Sequence, residues 1–166
     1  MRRTGRQDAR SDDFFQEGTR LLTPHAFDFV LDSELKRAVR AQNFLTLVVL
    51  EARREWEGLI MDADEGTVSE VARIVGHEVR DTDLLGSVQN GRMLLVLLDA
   101  DDESSRGIID RLVQRIDHYD FPAPLQISLG AACYPTHGVD ADALKQWAQS
   151  RPVVNWRSGP AVERRH

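Results

Sequence analysis

The chain has 166 residues, a formal net charge of −6 and a single cysteine, Cys133. An apolar share of 42% beside 29% charged residues fits one soluble globular domain with a proper core. The acidic balance argues against a general nucleic-acid binder, which needs clustered Lys and Arg. One cysteine excludes a disulfide framework and a cysteine-based metal site, and places the chain in a reducing cytoplasm. No apolar run reaches the roughly 18 residues of a membrane span, and the N-terminus lacks the apolar core of a signal peptide.

Residues 1–20 are polar and of mixed charge, as expected of a flexible N-terminal tail whose end Phe14 and Phe15 could anchor. Thr23-Pro24 then opens a helix, with Thr as N-cap and Pro at the first helical position. Phe27, Val30, Leu31, Leu35, Ala38 and Val39 form its apolar stripe through about Ala41. The run Phe44–Glu51, FLTLVVLE, is continuous and β-rich, so a central buried strand is expected. A loop from about Ala52 to Glu65 follows, holding Trp56 and the acidic residues Asp62, Asp64 and Glu65. Thr67-Val-Ser-Glu70 reads as a capping box that opens the next helix, with Val68, Val71, Ala72, Val75 and Val79 on its apolar face and its end near Arg80.

A β-hairpin comes next. Asn90-Gly91 is a strong type I′ turn signal, between strands expected at Leu84–Val88 and Met93–Leu98. The second strand is apolar almost throughout and belongs in the middle of a sheet. Four acids between Asp99 and Glu103 suit the positive end of a further helix, whose buried face is Ile108, Ile109, Leu112, Val113 and Ile116. Phe121-Pro-Ala-Pro124 ends it. Leu125–Tyr134 alternates as a strand, with Leu125, Ile127, Leu129 and Ala131 on one face. Asp140 caps a short helix from Ala141 to about Ser150, and Pro152–Trp156 suits an edge strand.

From Phe44 to Tyr134 the order is β-α-β-β-α-β, the ferredoxin-like α+β arrangement, with one helix added before it and one after. Right-handed crossovers then place the two most apolar strands, FLTLVVLE and MLLVLL, side by side at the centre. The domain is expected over residues 21–159, with a C-terminal tail over 160–166.

Simple constellations of chemistry do not stand up. The stretch Asp62-Ala-Asp64-Glu65-Gly66 fails as a calcium loop, because its Gly comes one place early and the twelfth position is Arg73. His25, His77, His118, His137 and His166 show no ligand spacing, so surface positions are expected. Cys133 lies in a strand, as a packing residue would. There is no G-x-x-x-x-G-K-[ST] loop and no G-x-G-x-x-G. Trp56, Trp147 and Trp156, if exposed, mark a protein contact; otherwise they pack at the edge of the core.

Four stretches, in order, resemble one family, the GGDEF or diguanylate cyclase domains, over about Leu21 to Gly159. LLTPHAF looks like D-x-L-T-G-L-x-N-R-R-x-F with its middle shortened. LTLVVLEA resembles the strand that ends in D-x-D. VRDTDLLGSVQNGRMLLVLL is similar to R-x-x-D-L-x-A-R-x-G-G-D-E-F-x-V-L-L, and ISLGAACYP to S-I-G-V-A-x-x-P. The resemblance implies a palm-type sheet like that of the nucleotide cyclases. In such sheets, acids at the end of the first strand and on the hairpin hold two divalent cations.

Here those positions are changed. The signature reads Gln89-Asn90-Gly91-Arg92-Met93, with Arg92 in place of the metal-binding acid. The D-x-D becomes Glu51-Ala52-Arg53, the Asn and Asp that would read guanine are absent, and Trp156 lies about where a Lys is expected. The resemblance therefore implies a degenerate domain with no cofactor and no metal, which does not make cyclic di-GMP. It would act in signalling or scaffolding by contacting another protein or itself. Two other readings stand beside this one. Arg80 and Asp83, the R-x-x-D pair, match the family's product-binding site and would make the chain a cyclic di-GMP receptor. On structural grounds alone, the same two residues suit a helix C-terminus and a turn cap. An enzyme with altered chemistry around Glu51 is the third reading.

Overall fold

The computed structural model describes residues 20–88 and 91–158. The elements in order are α1 (Pro24–Ala41), β1 (Leu45–Trp56), β2 (Leu59–Asp62), α2 (Glu65–Glu78), β3 (Leu84–Val88), β4 (Arg92–Leu98), α3 (Asp102–Asp117), β5 (Leu125–Tyr134), α4 (Ala141–Ser150) and β6 (Pro152–Arg157). The strands form one antiparallel sheet in the order β3-β4-β1-β5-β6, with β2 paired to the far end of β1. This is the expected βαββαβ arrangement, and β1 and β4 lie together at its centre.

The pleat divides the core in two, because successive side chains leave a strand on opposite faces. Val48, Leu50, Met93, Leu95, Leu97, Ile127 and Leu129 pack against α2 and α3. Leu45, Leu47, Val49, Leu94, Val96 and Ala132 pack against α1 and α4. Val39, expected on the apolar stripe of α1, is instead exposed at the helix's last turn. Among the described residues no helix is long and apolar enough to cross a membrane.

Three local expectations change. The segment expected as a loop after Glu51 is largely strand, because β1 runs on to Trp56 and turns back as β2. Ala52, Arg53 and Arg54 pair with Ile127, Gln126 and Leu125 of β5, while Arg53 to Trp56 pair with β2. The charged run Arg53-Arg54-Glu55 hides this from hydrophobic patterning. The turn itself is written in Glu57 and Gly58, whose φ angles of 49° and 79° are both in the left-handed region.

Helix α2 starts earlier than the capping box predicts. Asp64 is its N-cap, with its Oδ1 accepting from the Thr67 N–H at 2.8 Å. That hydrogen bond holds the Asp64 carboxyl below the ordinary aspartate range. A lowered carboxyl adds stability above its unfolded-state pKa and loses it as pH falls through the folded one. Asp64→Ala is expected to cost about 1 kcal/mol at neutral pH. In urea unfolding, the gap between variant and parent should close as the buffer is acidified; a gap unchanged at low pH would contradict the cap.

The third change concerns the hairpin. Val88 stands opposite Arg92, so three residues separate the strand ends where the sequence suggested two. Gly91 has φ 71°, as the left-handed residue of such a loop requires. A side chain there would also meet the Ala52 carbonyl oxygen at 2.4 Å. Gln89 and Asn90 lie outside the described residues.

Candidate functional site

The middle of β1 and the start of β4 meet where the signature motif falls. Glu51 is directly opposite Arg92 in the β1–β4 register, and Met93 beside it points into the α2–α3 core. Arg92 Nε and Nη2 donate to Glu51 Oε1 at 3.1 and 3.0 Å. Arg53 Nη2 approaches Glu51 Oε2 at 3.5 Å, and Arg53 Nη1 lies 3.8 Å from Asp62 Oδ1. Arg92 therefore sits within the strand, not at the turn, and both Glu51 oxygens face guanidiniums.

These residues do not fit a pair of divalent cations. The sheet surface offers Glu51, already shared by two fixed positive charges, and Asp62, which also faces Arg53, so a further cation beside them would meet Coulombic repulsion. Among the described residues no cluster of three or more His, Cys, Asp or Glu could hold a metal ion.

Arg80 and Asp83 are also together, in the turn between α2 and β3, but they serve each other and the backbone. Asp83 is only 4% exposed. Its Oδ2 accepts from the Arg80 N–H at 3.0 Å and its Oδ1 from the Leu98 N–H at 3.1 Å. The Arg80 guanidinium reaches Asp83 Oδ1 at 3.5 Å and donates to the Leu98 carbonyl. One carboxylate thus ties the end of α2 to the end of β4.

Sequence reasoning missed Arg20, which was counted with the tail. It donates to the carbonyls of Gly76, Arg80 and Asp83 at 2.9, 2.5 and 3.2 Å, so it closes the C-terminal end of α2. Leu21 beside it is buried, and the Leu22 N–H donates to the Leu85 carbonyl at the edge of β3. The only local hint was the apolar pair Leu21-Leu22; nothing in the sequence joins Arg20 to a turn 60 residues on.

The remaining candidates divide. Trp56 is 60% exposed at the β1–β2 hairpin, beside exposed Leu59 and Ile60. Trp147 stacks on the His137 ring, and the Arg151 guanidinium lies over the Trp147 ring. Trp156 donates to Asp117 and packs edge-on against Phe121. His137 was expected at the surface, but its Nδ1 takes the Cys133 N–H at 2.8 Å. Cys133 is buried, and loss of solvent pushes its thiol pKa up, as suits a packing residue.

No family model matches the chain, and no curated protein does. Solved structures do. The coiled coil and GGDEF domain of DgcB from Caulobacter crescentus, in complex with c-di-GMP, superposes with a TM-score of 0.72 at 15% identity, covering 89% of this chain and 83% of that one. The GGDEF domain of TpbB, also called YfiN, from Pseudomonas aeruginosa gives a TM-score of 0.66 at 18% identity, covering 81% and 84%. The diguanylate cyclase SiaD of the same organism, in complex with its activator SiaC, gives 0.65 at 16% identity, covering 90% and 62%. The chain has the α+β fold of GGDEF domains.

Proposed function

We propose that this is a GGDEF-like domain that does not condense nucleotides and that works in signalling by contacting another protein, a second copy of itself included. The observation that carries this reading is the Arg92–Glu51 pair, in which a fixed cation stands where the resemblance calls for a metal-binding acid. The β1–β2 hairpin supports it as well. The chain after Glu51 is used up in strand pairing, and Asn and Asp of the expected guanine-reading loop are absent. A protein contact is supported by Trp56, Leu59 and Ile60, which are 60%, 63% and 54% exposed around one turn. One similar fold, SiaD, is described in complex with a protein activator.

The receptor reading rests on the exposed Arg80 side chain and on the c-di-GMP complexes of similar folds. It requires Asp83 to give up the Arg80 and Leu98 N–H groups for a ligand. Chemistry around Glu51 would likewise require Arg92 to let go.

Two titrations test these readings. With Mn²⁺, amide resonances at Glu51 and Arg92 are expected to show no saturable paramagnetic broadening below millimolar metal; saturable broadening there would contradict the non-catalytic reading. With cyclic di-GMP, calorimetry is expected to show no heat of binding. Saturable heat that disappears in Arg80→Ala would establish the receptor reading instead.

A further inference from the structure

The β1–β2 hairpin offers more than exposed apolar side chains, because its outer backbone edge is open. β5 pairs with one edge of β1 as far as Arg54, so β2 pairs with the other edge, past the point where β4 begins at Arg92. The Ala63 N–H donates to the Ala52 carbonyl at 3.1 Å. Backbone groups alternate sides along a strand, so those of Leu59 and Met61 face β1 and those of Ile60 and Asp62 face away from it. Among the described residues no strand pairs with that outer edge. A side chain at Gly58, in the turn, would meet no described atom within 4 Å.

An edge of this kind is a template for another strand, and folded domains usually guard theirs. The ends of the main sheet are guarded. Leu22 bridges Gly86 at the edge of β3, and β6 begins with Pro152, which has no N–H to offer. β2 has neither device. Its sequence, Leu-Ile-Met-Asp, holds no Pro and no Lys, and Leu59 and Ile60 are exposed on opposite faces.

The edge is also complementary to itself. We propose that two copies of this chain join antiparallel, edge to edge, through β2, with Ile60 opposite Ile60 on the two-fold axis. This rests on the reading that the domain works by protein contact, and it commits that contact to a second copy. In this register the two Ile60 residues exchange both backbone hydrogen bonds. On the other face Leu59 meets Met61 of the second copy, with Trp56, the cross-strand neighbour of Leu59, beside them. The charges permit the approach. Arg53 Nη1 already faces Asp62 Oδ1 at 3.8 Å. Glu55, opposite Ile60 in the hairpin, stands three strand spacings from its own copy. At roughly 4.8 Å each that is about 14 Å, beyond the Debye length of about 8 Å at physiological salt. A shift that placed Met61 on the axis would instead set Ile60 against the Asp62 carboxylate.

Analytical ultracentrifugation of the full chain, with disulfide capture, tests the proposal. The contact is small, so a weak dimer is expected, with a dissociation constant on the order of 100 µM. Ile60→Lys sets like charges opposite each other and should raise that constant at least about tenfold. Under mild oxidation Ile60→Cys should form a covalent dimer, since directly paired Cα atoms about 5.5 Å apart lie within disulfide range. Met61→Cys should not, because its two copies are diagonal, with Cα atoms roughly 7–8 Å apart. Ile60 is 54% exposed and the native Cys133 is buried, so the Ile60 variants leave the core intact and the introduced thiol is the reactive one. A chain that stays monomeric at several hundred micromolar would overturn the proposal, and its failure to turn over GTP would still leave the non-catalytic reading standing. A dimer that Ile60→Lys leaves intact, or that Met61→Cys locks and Ile60→Cys does not, would overturn this pairing while keeping self-contact at another surface or register.

Discussion

Asp83→Ala is expected to lower stability by about 3 kcal/mol. The carboxylate is buried and accepts two backbone N–H groups, Arg80 and Leu98, besides meeting the Arg80 guanidinium. Its removal leaves those donors without a partner where water has little access, and each such group costs about 1–3 kcal/mol. For a domain of this size the melting temperature should fall by roughly 6–12 °C. Asp83→Asn keeps one acceptor oxygen and should fall between the variant and the parent. Arg80→Ala removes an exposed guanidinium while leaving the Arg80 N–H in place, so its cost should be under about 1 kcal/mol. If Asp83→Ala melted within a degree or two of wild type, Asp83 would not be the clamp between α2 and β4, and a ligand-facing role would regain its ground.

Gly130→Ala should be at least as damaging. A Cβ at Gly130 would stand 1.8 Å from the Ala148 carbonyl oxygen, on the backbone of α4. The strand and helix would have to separate, and the packing of Leu144 and Ala148 against the sheet would go with them. Overpacking against backbone warrants a loss of about 3–5 kcal/mol. Gly86→Ala makes a useful contrast. Its Cβ would meet the Phe27 ring at 2.4 Å, and a ring can turn where a helix carbonyl cannot, so about 1–3 kcal/mol is expected. Urea denaturation of the two variants reads the difference. A smaller loss for Gly130→Ala than for Gly86→Ala would mean that the contact of β5 with α4 is looser than described.

The core strands were legible because burial on both faces writes continuous apolar runs, and β1 and β4 carry such runs. Two helix caps were legible as well, Thr23 and Asp140, since each cap belongs to the residues beside it, and the acidic run Asp99–Glu103 marked a third start within which Asp101 is the cap. The fourth start was read at the Thr67 capping box, whereas the cap is Asp64, three residues earlier. What escaped was long-range pairing. Arg53-Arg54-Glu55 become strand only because β5 and β2 flank them, and a charged run has no period to show it. The hairpin register shifted by one residue for the same reason: Asn-Gly indicates that a turn forms, while the pairing of Val88 with Arg92 sets its length. At the candidate site, the sequence placed Arg92 and Glu51 near each other, but their direct hydrogen bonds came only from the register of two strands. Arg20 was beyond reach because its partners are backbone carbonyls, which carry no mark in a sequence.

The central claim is that this GGDEF-like fold does not turn over nucleotide, and incubation with GTP tests it most directly. Purified protein at high concentration, supplied with GTP and either Mg²⁺ or Mn²⁺, should accumulate no cyclic dinucleotide above a protein-free blank. Product that accumulates in proportion to protein, and that Glu51→Gln abolishes, would contradict the account.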